Sequence, residues 1–97
     1  MPKQQFVIFA EGEKVLIRTV TTYLVGEILS VQSVEGVPFV VLKDASWVAD
    51  MGRFSDTLKD GFSEDAEIEP APGVCAVQVG SVVDVYEWSH DLPTFQQ

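Results

Sequence analysis

The stretch that most limits what this chain can fold into is residues 36–61, GVPFVVLKDASWVADMGRFSDTLKDG. It opens on the clearest strand signal in the sequence, the apolar and β-branched run 39–42. Pro38 stands at the start of that run, the one place in a strand where its missing N–H is easily tolerated. Between Ala45 and Gly52 the period of two is lost. Residues 53–60 then carry the one helical spacing in the chain: Phe54 and Leu58, with Met51, fall on one face. Ser55 or Asp56 is expected to cap this helix, and Gly61 to end it. Two turns of helix do not hold in water alone, so the segment has to dock on something else. The remaining sequence reads as strands.

Before this stretch lie three strand candidates. The first is the short apolar run 6–9, closed by a turn around Gly12; the second is residues 14–23, KVLIRTVTTY, rich in β-branched residues. In the second, Val15, Ile17 and Thr19 fall on one face and Leu16, Arg18 and Val20 on the other. The third, residues 24–32, has Gly26 inside it, which predicts a bulge or sharp bend. Residues 33–36 read as a hairpin turn. After the helix, residues 62–73 are an acidic and proline-rich loop. Residues 74–79 and 82–88 read as two last strands parted by Gly80 and Ser81, and residues 89–97 as a loose tail. Five or six short strands with one inserted helix in a single domain, residues 1–97, predict a mainly β fold: a small, strongly curved β-barrel of the SH3 or Sm kind. A barrel this small tends to leave an edge strand open, so a homo-oligomer is expected.

Composition bears on partners. Fifteen acidic residues against six basic ones give a net charge of −9, with no Lys/Arg cluster, so binding to extended nucleic acid is not expected. An apolar fraction of 46% is that of a globular chain, and no apolar run is long enough to span a bilayer as a helix. Nothing at the start reads as a signal peptide, and the single cysteine, Cys75, permits no internal disulfide, so a cytoplasmic location is expected. The lone His90 excludes a histidine-rich metal site, no nucleophile–base set presents itself, and no phosphate-cradling glycine loop is present. The acidic run 64–69 lacks the ligand pattern of a calcium loop and reads as a solvated face. Neither enzyme activity nor a cofactor is expected.

The candidate binding residues are few. Arg18 and Arg53 are the only arginines. They can gather at a subunit boundary to hold phosphate or carboxylate, or each can sit in a local ion pair, Arg53 with Asp50 or Asp56. Trp47 and Phe54 flank Gly52; they can stack on a nucleobase beside an arginine, or dock the helix. Tyr23 and Tyr86 can lend hydroxyls or pack. Trp88 ends a strand and reads as a core plug, and Cys75 as a buried thiol.

Two resemblances follow from these elements. Residues 13–44, with the bent strand at Gly26 and the run FVVLKDA, resemble the first motif of Sm-like proteins, and residues 78–85 their second strand pair, which implies a small barrel. The order Ile17-Arg18-Thr19, Gly26, residues 40–45, Trp47, Gly52, Ser55, Leu58 and Gly61 resembles phage-encoded small proteins related to the anti-Thoeris and anti-CBASS signal sponges. That likeness covers about half of the chain, residues 15–61. It implies a phage protein that sequesters a small nucleotide-like signal, with Arg18 and Arg53 on phosphate and Trp47, Phe54 or Tyr23 on the base. The alternative is a structural or interaction module: a virion accessory protein, or an acidic adaptor that binds a host protein.

Overall fold

The computed structural model describes residues 8–97, so half of the run expected as a first strand, residues 6 and 7, lies outside the described residues; Ile8 and Phe9 themselves form a turn. The chain is mainly β. Its elements are β1 (Lys14–Thr19), β2 (Tyr23–Val34), β3 (Val37–Asp50), α1 (Phe54–Asp60), β4 (Glu67–Pro70), β5 (Val74–Gln78) and β6 (Val82–Glu87), with a 3₁₀ turn at Val79–Ser81 between the last two. All pairings are antiparallel. The strands run in the order β4, β3, β2, β1, β6, and β5 joins the same side of β3 as β4. β3 therefore pairs with β5 through its first half and with β4 through its second. Among the described residues no ladder joins β5 or β4 to β6, so the expected barrel is not closed: the sheet is open.

Val15, Leu16 and Ile17 are consecutive and all fully buried. Alternation puts Val15 and Ile17 on one face of β1 and Leu16 on the other, so both faces of the sheet are covered here. Val15 and Ile17 pack with Leu24, Ile28, Val40, Leu42, Ala45 and Val77 inside the curl of the sheet. On the opposite face Leu16 packs with Val25, Val48, Met51, Ala66, Ile68 and Trp88, and this second core is closed by Phe54 and Leu58 of α1.

The bend that the glycine predicts is present. Opposite Gly26, β3 places two residues, Asp44 and Ala45, between the pairs Val25–Ser46 and Glu27–Lys43, and Asp44 adopts φ 51°. Such a bulge twists and bends the strand. It also brings Ala45 so close that a side chain on Gly26 has no room: a Cβ would lie 3.1 Å from the Ala45 Cβ and 3.3 Å from the Lys43 carbonyl. The hairpin turn is tighter than expected. Glu35 and Gly36 alone form it, with φ of 51° and 83°, the two-residue primed turn whose twist matches the strands.

Five expectations need correcting. β1 stops at Thr19 rather than Tyr23 because the Thr19 hydroxyl takes the N–H groups of Thr21 (3.3 Å) and Thr22 (3.1 Å) and closes a turn. β3 does not lose its period at Ala45; the bulge shifts the phase by one residue and the strand runs on to Asp50. The 62–73 loop contains β4, whose one apolar residue, Ile68, is buried. Neither Ser55 nor Asp56 caps α1: Arg53 occupies the N-cap with no side-chain bond. Thr57 ties the first turn instead, its hydroxyl donating to the Met51 carbonyl at 2.9 Å.

The last correction concerns the tail, which is docked and not loose. Trp88 is buried and its backbone N–H donates to the Lys14 carbonyl (2.9 Å). His90 Nε2 donates to the Leu58 carbonyl at 2.9 Å, supplying one of the partners that the last turn of a helix lacks. At the end, Gln97 and Ile68 exchange backbone hydrogen bonds of 2.9 and 2.8 Å, so the tail pairs with β4.

Two outcomes test this description. Gly26→Ala is expected to destabilise the fold by about 1–3 kcal/mol, since neither β3 backbone nor Ala45 can retreat; a urea melt reads it as a lower midpoint. Ser46 has a fully buried hydroxyl with no hydrogen-bond partner among the described residues. Ser46→Ala is therefore expected to leave stability unchanged or raise it by up to about 1–2 kcal/mol in the same melt.

Candidate functional site

β1 and β6 are neighbours with Arg18 opposite Asp84, and residues opposite each other across a pair share a face. Asp84 accepts from Arg18 Nε at 2.7 Å and also from Arg18 Nη2, and from the Tyr86 hydroxyl at 3.2 Å. Asp84 and Tyr86 stand two residues apart on β6 and therefore point the same way, as the alternation of that strand predicts. Phe54, at the start of α1, lies edge-on to Tyr86 with ring centroids 4.8 Å apart, and 5.9 Å from Tyr23. Three aromatic rings and one ion pair thus line one side of the second core.

Each of these groups affects its neighbours. The hydrogen bond from Arg18 to Asp84 pushes the guanidinium pKa up, and burial alone would lower it. The Tyr86 phenol is pushed above its ordinary 10.0, first by burial, then by its bond to Asp84 and the negative charge there. Elsewhere, Cys75 on β5 is half-buried against the first core, and burial raises its thiol pKa, as for an unreactive cysteine.

The five candidate residues are not brought together as one set. Tyr23 and Phe54 meet beside Tyr86, and Arg18 reaches Tyr86 through Asp84. Arg53 is 79% exposed and lies 4.0 Å from Asp56, the local pair open to it from sequence. It borders a shallow cavity of about 280 Å³ with Asp56, Thr57 and Phe62, whereas Arg18 borders another, of about 460 Å³, around the Thr19–Thr22 turn. Trp47 is on neither. It stands 42% exposed on β3, opposite Glu69 of β4, over a third cavity. Among the described residues no three His, Cys, Asp or Glu side chains come together to hold a metal. No helix among them is long and apolar enough to cross a membrane.

A second surface escaped sequence reasoning. Beyond the bulge, β2, β3 and β5 leave the second core behind, and among the described residues nothing packs over their outer face. Ser30, Val41 and Ala76 stand in one row across it, Gln32, Phe39 and Gln78 in the next, and Val34 beside Val37 at the tip. Val34 and Val37 are 57% and 37% exposed, and Val74, in the row of Lys43, is 63% exposed. The charges on this face are Lys43 and Glu27, which pair at 3.5 Å. The apolar character of residues 39–42 was legible, but a continuous run does not say which of its faces is left uncovered.

No family model matches the chain, and neither a curated protein nor a solved structure gives a significant match.

With Tyr23 replaced by phenylalanine, Tyr86 is the sole tyrosine. Its absorbance titration is expected to have a midpoint above 10.0. Asp84→Asn is expected to bring that midpoint down, because the carboxylate that opposes the phenolate is gone.

Proposed function

We propose that this chain is a non-enzymatic interaction module that assembles with copies of itself and presents its acidic surface to a protein partner. The observation that carries the reading is the bare outer face of β2, β3 and β5. In a chain of net charge −9, its central strip Val37, Phe39, Val41 and Ala76 bears no charge, and its border carries one cation beside one anion. Two copies can therefore meet there without the like-charge repulsion expected over the rest of the surface. Apolar patches of this kind are commonly covered by a partner. The small-barrel expectation fits the same picture. β5 passes to β6 through a single 3₁₀ turn, and β6 lies beside β1, the order that an SH3- or Sm-like barrel would have if opened between β5 and β6.

The second reading, sequestration of a nucleotide-like signal by a phage-encoded protein, draws support from the rings of Tyr23, Phe54 and Tyr86 beside Arg18. It requires Asp84 to release Arg18, or a second copy to bring Arg53 close to it. Arg18 as it stands is satisfied within its own chain, so the interaction module is the better supported of the two.

Light scattering behind a sizing column tests the first reading. Wild-type protein at about 100 µM is expected to run as a defined dimer or larger oligomer, a range in which a moderate interface is populated. Val37→Glu with Val74→Glu, both on exposed positions, is expected to return it to monomer with an unchanged circular dichroism spectrum. A wild-type monomer at that concentration overturns the assembly reading. Native mass spectrometry of the same sample separates the second reading, which requires a phosphate-bearing passenger.

A further inference from the structure

We infer that the groove floored by Trp47 receives a cationic side chain, an arginine above all, from an extended basic segment of a partner protein. The inference rests on the interaction-module reading and gives its partner a chemistry. Trp47 and Glu69 are directly opposite across β3 and β4, and Glu67 lies two residues before Glu69 on the same face. Together with Thr22, Ala49 and Gln97 they line an open cavity of about 460 Å³.

Three features define the occupant. The first is the indole, an exposed tryptophan on a strand whose neighbours Ser46 and Val48 are buried. The face of an indole attracts a cation, and guanidinium stacks on it more readily than ammonium. Charge is the second. Glu67 and Glu69 are exposed, and among the described residues neither has an ion-pair partner and no basic residue lines the cavity. Glu67 also stands opposite Asp50 across the strand pair, a like-charge placement that opposes the pairing of β4 and that a bound cation relieves. Third, among the described residues no three His, Cys, Asp or Glu side chains gather as a metal-ligand group, and the indole beside the two acids matches an organic cation. A guanidinium lying on Trp47 has a carboxylate within its fork on the flanking strand, the geometry in which arginine outperforms lysine. The cavity is open rather than enclosed, so an extended segment can lie across it.

Trp47 is its own reporter, because the only other tryptophan, Trp88, is buried in the second core. An acetylated hexa-arginine peptide is titrated into the full chain at low and at near-physiological salt, with hexa-lysine and a neutral Gly/Ser peptide alongside. A saturable change in fluorescence is expected with hexa-arginine, weaker with hexa-lysine and absent with the neutral peptide. Glu67→Gln with Glu69→Gln is expected to weaken binding by about tenfold, and Trp47→Ala, followed by calorimetry, by about threefold to tenfold. Glu64→Gln with Asp65→Asn removes the same charge from the adjoining turn and is expected to change affinity by less than about twofold. Equal losses from both double variants would reduce the effect to bulk charge and overturn the site, as would the lack of any saturable binding. Light scattering on the same samples keeps the two readings apart. An oligomer that binds no peptide overturns the groove alone, and a monomer that binds supports the groove while ending the assembly reading.

Discussion

Val15, Leu16 and Ile17 leave β1 with no face for solvent, and the rest of the molecule is arranged to satisfy that demand. A strand that alternates in side-chain direction can bury three residues in succession only if both faces of its sheet are covered. The curl of the sheet covers one, through Val40, Leu42 and Val77. The other needs separate pieces, which α1 and the segment after β6 supply. Neither piece could stand alone. Seven helical residues lack the length to persist in water, and the final segment has no regular structure. They hold each other: His90 bonds the last turn of α1, and Lys14 Nζ donates to the His90 carbonyl at 2.6 Å.

The bulge opposite Gly26 divides the sheet into a two-sided region and a one-sided one. Before it, β2 is buried on both faces; past it, residues 31–38 are all exposed. Bending here also lets β3 serve two partners, β5 on one side of the bulge and β4 on the other. The bare apolar face and the Trp47 groove are both products of this division. One lies where the helix and tail do not reach, the other where β4 extends the sheet past the core.

Charge partition explains why the candidate residues do not form one site. An arginine in a chain with many more acids than bases tends to find a carboxylate nearby, and Arg18 finds Asp84 across the β1–β6 pair. Among the described residues Arg53 finds only Asp56, at the edge of ion-pair range. The acids of β4, by contrast, have no ion-pair partner among the described residues.

Much of the local structure was legible because local chemistry specifies it. The β-branched runs, the turn at Gly36, the bend at Gly26, the face formed by Phe54 and Leu58, and the burial of Trp88 each depend on a few adjacent residues. Other features were decided only in three dimensions. β4 has one apolar residue in four, too little for a strand signal, and it exists because the second half of β3 offers an unpaired edge. The tail is held by backbone groups and single side chains that meet residues up to 76 positions away, contacts that no periodicity can announce. Pairing of Arg18 with Asp84, and separation of both from Trp47 and Arg53, depend likewise on strand order. Side-chain chemistry sets what each segment can become; which segments meet is settled by the need to cover both faces of β1.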